Sequence, residues 1–223
     1  MRRKIIVFPF FLLLVVLVSC SRTPSVVLED NTCNAPCWRT IDAGKTSQEE
    51  AMNIIAKMPD IQEDSIKQEK TFLPMMEDAV YWKFQGAAEF NADISFHDLT
   101  VVMLTFNFAH PIGLKDFIHK FGEPSSVYIS SSQGPGVYLT VSLIYPNKGI
   151  CLFHQPKLLP LQNPNEYAIT QATQINDVYY TDPTIQNSQL IIGCLRGLES
   201  DEFKMGVQEW SGYKKYVVHK QGK

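Results

Sequence analysis

Two cysteines four positions apart, Cys33 and Cys37, stand in the stretch NTCNAPCWRT at 31–40, with Pro36 between them. Thiols at this spacing can do three things. They can join as a staple across a short loop, worth about 2 kcal/mol on the chain-entropy account. They can cycle between thiol and disulfide. They can hold a metal as thiolates. The redox use favours two intervening residues and a helix start that lowers a thiol pKa; here three residues intervene. The metal use needs further Cys or His ligands nearby, and the nearest histidine is His97. The compartment in which the chain folds decides among the three.

Other candidates for chemistry are scattered. The five histidines, His97, His110, His119, His154 and His219, form no His-Glu-x-x-His pair or other tight ligand spacing. His119 is expected as a partly exposed helix residue, and His110-Pro111 as a turn at a helix entry. The serine clusters at 125–126 and 130–132 lack a Gly-x-Ser-x-Gly elbow and are expected to face solvent in turns. Glu63-Asp64 and Glu77-Asp78 lack calcium-loop spacing. No glycine-rich phosphate loop is present. Composition and motifs therefore point to no catalytic residue, no metal and no cofactor.

The compartment is written in the leader, MRRKIIVFPFFLLLVVLVSC. Arg2, Arg3 and Lys4 form a basic start. The uncharged apolar run from Ile5 to Val18 has the length of a signal-peptide core and is short of the roughly 20 residues that span a bilayer. It ends in Leu17-Val18-Ser19-Cys20, which resembles the lipobox of bacterial lipoprotein precursors. That resemblance implies cleavage before Cys20, a diacylglycerol on its thiol and an acylated new N-terminus. Two or three chains, at about 0.8 kcal/mol per buried methylene, anchor durably. The expected organisation is a signal peptide over 1–19, a lipidated tether over 20–32 and an exported domain over 33–223. Export favours disulfides, so the Cys33/Cys37 spacing tilts toward the staple, with Cys151 and Cys194 as a possible second pair.

Loss of the three leader cations leaves 17 Lys and Arg against 23 Asp and Glu, a net charge of −6 on the remaining chain. That surface lacks the basic stripe of a nucleic-acid binder. It also gives no electrostatic attraction to anionic headgroups.

The elements that must position these residues read as α+β. Ala51, Ile54, Ile55 and Met58 recur at helical spacing after Thr46 and Glu49, which have capping-box spacing; Pro59 stops the run. Leu114, Phe117, Ile118 and Phe121 repeat the pattern over a helix expected at 112–121, with Gly122 and Pro124 behind it. Strands are expected at 79–84, 92–96 and 100–108, then at 126–130, 137–145 and 149–154, divided by Gly/Pro turns. Helix and meander thus occur twice, which predicts an antiparallel sheet with helices on one face. The two expected repeats are 37–108 and 109–157, followed by a C-terminal extension over 158–223 that opens with an extended crossover. Most of Tyr81, Trp82, Phe84, Phe96, Phe106, Phe108, Tyr138 and Tyr145 must be core, while a sheet face without helices could expose some for recognition.

The stretch GLKDFIHKFGEP, with Gly113, Phe117, Gly122 and Pro124 in place, resembles the helix of the small lipoprotein of the outer-membrane β-barrel assembly machinery. It also resembles the helix of the duplicated β-lactamase inhibitory protein fold. Pro36-Cys37-Trp38, with Ile41, Gly44 and Thr46, looks like the start of uncharacterised bacterial lipoproteins. These resemblances imply a binding scaffold and carry over no catalytic residues. The expectation is a membrane-anchored extracytoplasmic lipoprotein whose partner is the membrane, through its lipid, and an unspecified protein. The alternative is a thiol-disulfide or metal-handling protein using Cys33 and Cys37.

Overall fold

The computed structural model describes residues 25–70, 78–87, 89–133, 137–156, 164–184 and 206–220. The chain is mostly β-sheet with two short helices among the described residues, a mixed α+β architecture. A two-stranded ribbon comes first: β1 (Cys37–Trp38) pairs with β2 (Ile41–Asp42). Helix α1 (Gln48–Ile55) follows. Its cap is Ser47, whose Oγ accepts from the Glu50 N–H at 3.2 Å, and Glu49 and Glu50 oppose the helix dipole. Thr46, expected to cap, serves the turn before it instead: its Oγ1 accepts from the Asp42 N–H at 2.8 Å. Ala51 and Ile55 are buried; Ile54 and Met58 are half-buried against the same core.

Four strands come next: β3 (Lys67–Lys70), β4 (Asp78–Lys83), β5 (Glu89–His97) and β6 (Thr100–Gly113). Strand β6 runs through His110 and Pro111, so these residues extend a strand and do not form the expected turn. Helix α2 (Leu114–Phe121) starts directly from it. Gly113 offers no side chain to the free N–H groups; the backbone carbonyls of Thr173 and Gln171 accept from Leu114 and Lys115. Gly122, at φ +77°, ends the helix by donating its N–H to the Ile118 carbonyl at 2.8 Å. Leu114, Phe117 and Phe121 are buried and Ile118 is half-buried.

The chain then forms β7 (Ser126–Gln133), β8 (Val137–Tyr145), β9 (Ile150–His154), β10 (Glu166–Ala168), β11 (Gln174–Thr181), β12 (Val207–Glu209), β13 (Lys215–Val217) and β14 (His219–Lys220). Strand β10 pairs with β13 as a separate ribbon. The main sheet has the order β12-β7-β8-β9-β11-β6-β5-β4-β3, with β14 also on the outer edge of β7. Its pairings are antiparallel except β14 with β7. Strand β11, from the stretch expected as an extension beyond 157, is therefore central: it is inserted between β9 and β6.

The core shared by the two helices includes Trp38, Trp82, Phe96, Leu104, Phe106, Val141, Leu152 and Val178. Residues of opposite parity on the strands form a second cluster: Met103, Tyr128, Ile144, Cys151, Phe153 and Tyr179. The sheet thus buries side chains from both of its faces. Ser130 and Ser131, expected in a solvent-facing turn, lie buried within β7.

Candidate functional site

The opening cysteines are bonded to each other, with Cα atoms 5.7 Å apart. Their loop leads straight into β1 and places Trp38, which is fully buried. Trp38 stacks on Trp82 and meets Phe84 and Phe106 edge-on, and its Nε1–H donates to the Val26 carbonyl at 3.1 Å. The turn between β1 and β2 is made by Arg39 and Thr40, at φ +48° and +71°. A β-branched residue in the left-handed region is strained, and the surrounding anchors hold it there.

That turn brings Arg39 to Asp60. The guanidinium grips the carboxylate with two nitrogens, each at 2.6 Å, and lies 5.0 Å from the Trp38 ring centre. Partial burial works to raise the Asp60 pKa, but the Arg39 hydrogen bonds and charge outweigh it, leaving the carboxyl below its ordinary 3.8. The Arg39 N–H donates to Asp30 Oδ2 at 2.9 Å, and Lys120 Nζ donates to the Asp30 carbonyl.

Beside this pair opens a groove of about 880 Å³. Its walls come from Val26 and Glu29, from the Arg39–Thr40 turn, from Ile54 on α1 and Met58 just beyond it, and from 85–87 between β4 and β5. The lining mixes apolar side chains, Val26, Ile54, Met58 and Pro59, with charged ones, Glu29, Asp30 and Lys57 beside the Arg39–Asp60 pair, a combination that suits noncovalent capture of a partner. No histidine or cysteine lines it among the described residues.

The expected tether, 20–32, is packed on the domain from Ser25 onward; Val26 and Val27 are buried. The agent is Glu89, a carboxylate 1% exposed. It accepts from Ser25 Oγ at 2.6 Å and from the N–H groups of Val26 and Val27 at 3.0 and 3.1 Å. Nothing in the sequence around Glu89 marks it, because its partners lie more than sixty positions away.

Burial pushes the Glu89 pKa above its ordinary 4.5, and the bonds from Ser25, Val26 and Val27 only partly offset this. A raised folded-state pKa contributes stability that is complete below about 4.5 and is lost as the pH rises through the folded value. Urea unfolding of the parent and of Glu89→Gln should therefore diverge with pH. The parent gains on the variant as the pH falls from neutral toward 4.5, since glutamine does not titrate. Parallel stability curves would show that the carboxyl does not titrate on folding.

The remaining sequence candidates are not brought together. Cys20 and Cys194 lie outside the described residues. Cys151 is fully buried in the second sheet-face cluster. His97 is 3.6 Å from Asp98, His154 is buried with its Nε2 2.7 Å from Tyr167 Oη, and the His219 ring is tilted against that of Tyr128, with centres 6.3 Å apart. His110 and His119 are exposed. Among the described residues no three His, Cys, Asp or Glu side chains gather as a metal site. Of the strand aromatics, Trp82, Phe84, Phe96, Phe106, Phe108 and Tyr145 are buried and Tyr81 is partly exposed; the Tyr138 side chain is outside the description. No helix of the described residues is long and apolar enough to cross a membrane. No protein-family profile, curated protein or solved structure matches this chain.

Proposed function

We propose that the chain is a membrane-anchored extracytoplasmic lipoprotein, lipidated at Cys20, whose domain binds a partner without catalysing a reaction. The observation that carries the reading is the leader: a basic start, a short apolar run and Leu17-Val18-Ser19-Cys20. The Cys33–Cys37 bond suits an oxidising compartment outside the cytoplasm. The groove beside Arg39 and Asp60 is the binding surface on this reading.

The scaffold is read as a duplicated unit with both helices on one sheet face. Support comes from strand order: α1 precedes β3-β4-β5-β6, α2 precedes β7-β8-β9-β11, and the last strand of each set meets at the centre. Residues of both helices share one core cluster. The second unit then closes with β11, so it extends past 157.

Cys20→Ser tests the anchor. The serine hydroxyl cannot take the place of the thiol in thioether formation, so the variant should incorporate no labelled fatty acid and keep its leader. Undiminished label in the variant would remove the lipoprotein reading.

A further inference from the structure

We infer that the Glu89 clamp makes positions 20–24 the whole of the lipid tether, and so seats one end of the sheet on the bilayer surface. This rests on lipidation at Cys20. Ser25 is held by the Glu89 carboxylate at 2.6 Å, and Val26 and Val27 are pinned behind it by their own N–H groups. Trp38 Nε1 grips the Val26 carbonyl, which fastens the same turn from the other side. From Cys20 to Ser25 there are five Cα–Cα steps, and at 3.3–3.6 Å each the chain spans at most about 18 Å. The headgroup region of one leaflet is itself about 5–8 Å deep. The domain can therefore stand off by no more than a few side-chain diameters.

The end of the fold at which Ser25 is fixed carries suitable groups. Phe90 follows Glu89 directly and is 53% exposed, and Lys83 Nζ lies 5.4 Å from its ring centre. An exposed aromatic beside a lysine with a long apolar stem is the pairing that rests at a membrane interface, ring toward the acyl boundary and charge toward the headgroups. The groove opens at this end too, since 85–87 and Val26 line it. Its occupant would be met at the membrane surface. The turn beyond the opposite end of β5 carries Leu99, also exposed; the strand itself, Glu89–His97, is about 27 Å long at the usual rise per residue. The acidic chain has no general attraction for anionic lipid, so the covalent tether, and not surface charge, imposes the contact.

The experiment uses the full chain, lipidated in cells and moved into phosphatidylcholine vesicles containing a headgroup spin-labelled lipid. A genetically encoded fluorescent amino acid replaces Phe90 in one sample and Leu99 in another. Quenching should be several-fold greater at 90 than at 99. Inserting twelve Gly and Ser residues between Pro24 and Ser25 should abolish that difference. Mass measurement of the N-terminal peptide reads lipidation separately. Lipidated protein with equal quenching at the two positions overturns the inference and leaves the lipoprotein reading intact. Quenching at 90 that survives the insertion also overturns it, because the contact would then come from the surface. An unmodified Cys20 overturns both.

Discussion

Trp38→Ala should cost about 3–5 kcal/mol in urea unfolding, the range for emptying a large aromatic site in a core that cannot fully collapse. The site has little freedom to close. Trp38 is completely buried, and its ring is met by Trp82, Phe84 and Phe106 from three directions. Its Nε1 is also the partner of the Val26 carbonyl, so the truncation leaves a buried acceptor unpaired. Trp38→Phe isolates this second part: it keeps an aromatic ring and loses the donor. Trp82→Phe is the internal control, since Trp82 Nε1 has no hydrogen-bond partner among the described residues. The Trp38 replacement should be worse by about 1–3 kcal/mol, the usual penalty for an unsatisfied buried polar group. Equal losses for the two phenylalanine variants would show that the Val26 bond contributes nothing.

Phe117→Ala should cost a comparable amount, about 3–5 kcal/mol. The ring is fully buried between Phe108 on β6, which it meets edge-on at 5.8 Å, and Phe121 one turn further along α2, at 6.4 Å. Phe121 in turn contacts Tyr180 on β11. The helix therefore joins the two strands that meet at the centre of the sheet. His119→Ala, on the exposed side of the same helix, should change stability by less than about 0.5 kcal/mol. A loss below about 1 kcal/mol for Phe117→Ala would be far outside the range for emptying a core aromatic and would remove the residue from the core.

The local signals were readable. The i, i+3, i+4, i+7 spacing of Leu114, Phe117, Ile118 and Phe121 located α2, and Gly122 marked its end. Proline and glycine separated β7, β8 and β9. The Cys33–Cys37 bond is a short-range event that the four-residue spacing can anticipate. What escaped was long-range or lacked a residue signature. Strand β11 pairs with β6 some seventy positions away, and no periodicity reports a partner at that distance. The turns at Arg39-Thr40 and Asp98-Leu99 adopt positive φ without a glycine, because tertiary anchors impose a conformation that local preference resists. Thr46 and Ser47 are both good caps, and the choice fell to Ser47 once Thr46 was engaged by Asp42. In the groove, Met58 lay in the apolar pattern, but the Arg39–Asp60 pair spans twenty-one positions. Glu89 belongs to no motif or periodic pattern in the sequence, and its partners lie more than sixty positions away.

The central place of β11 bears on how such a chain is made. If it is threaded through a membrane from its N-terminus, β3 to β6 emerge long before residue 174 does. During that interval β6, the longest strand in the sheet, lacks its central partner along Met103–Asn107 and at Ile112–Gly113. An unpaired apolar edge of that length is a template for association with other chains. On the export reading, the interval between translocation of 113 and of 174 is when the nascent protein is most vulnerable, and when an export chaperone would gain most by holding it.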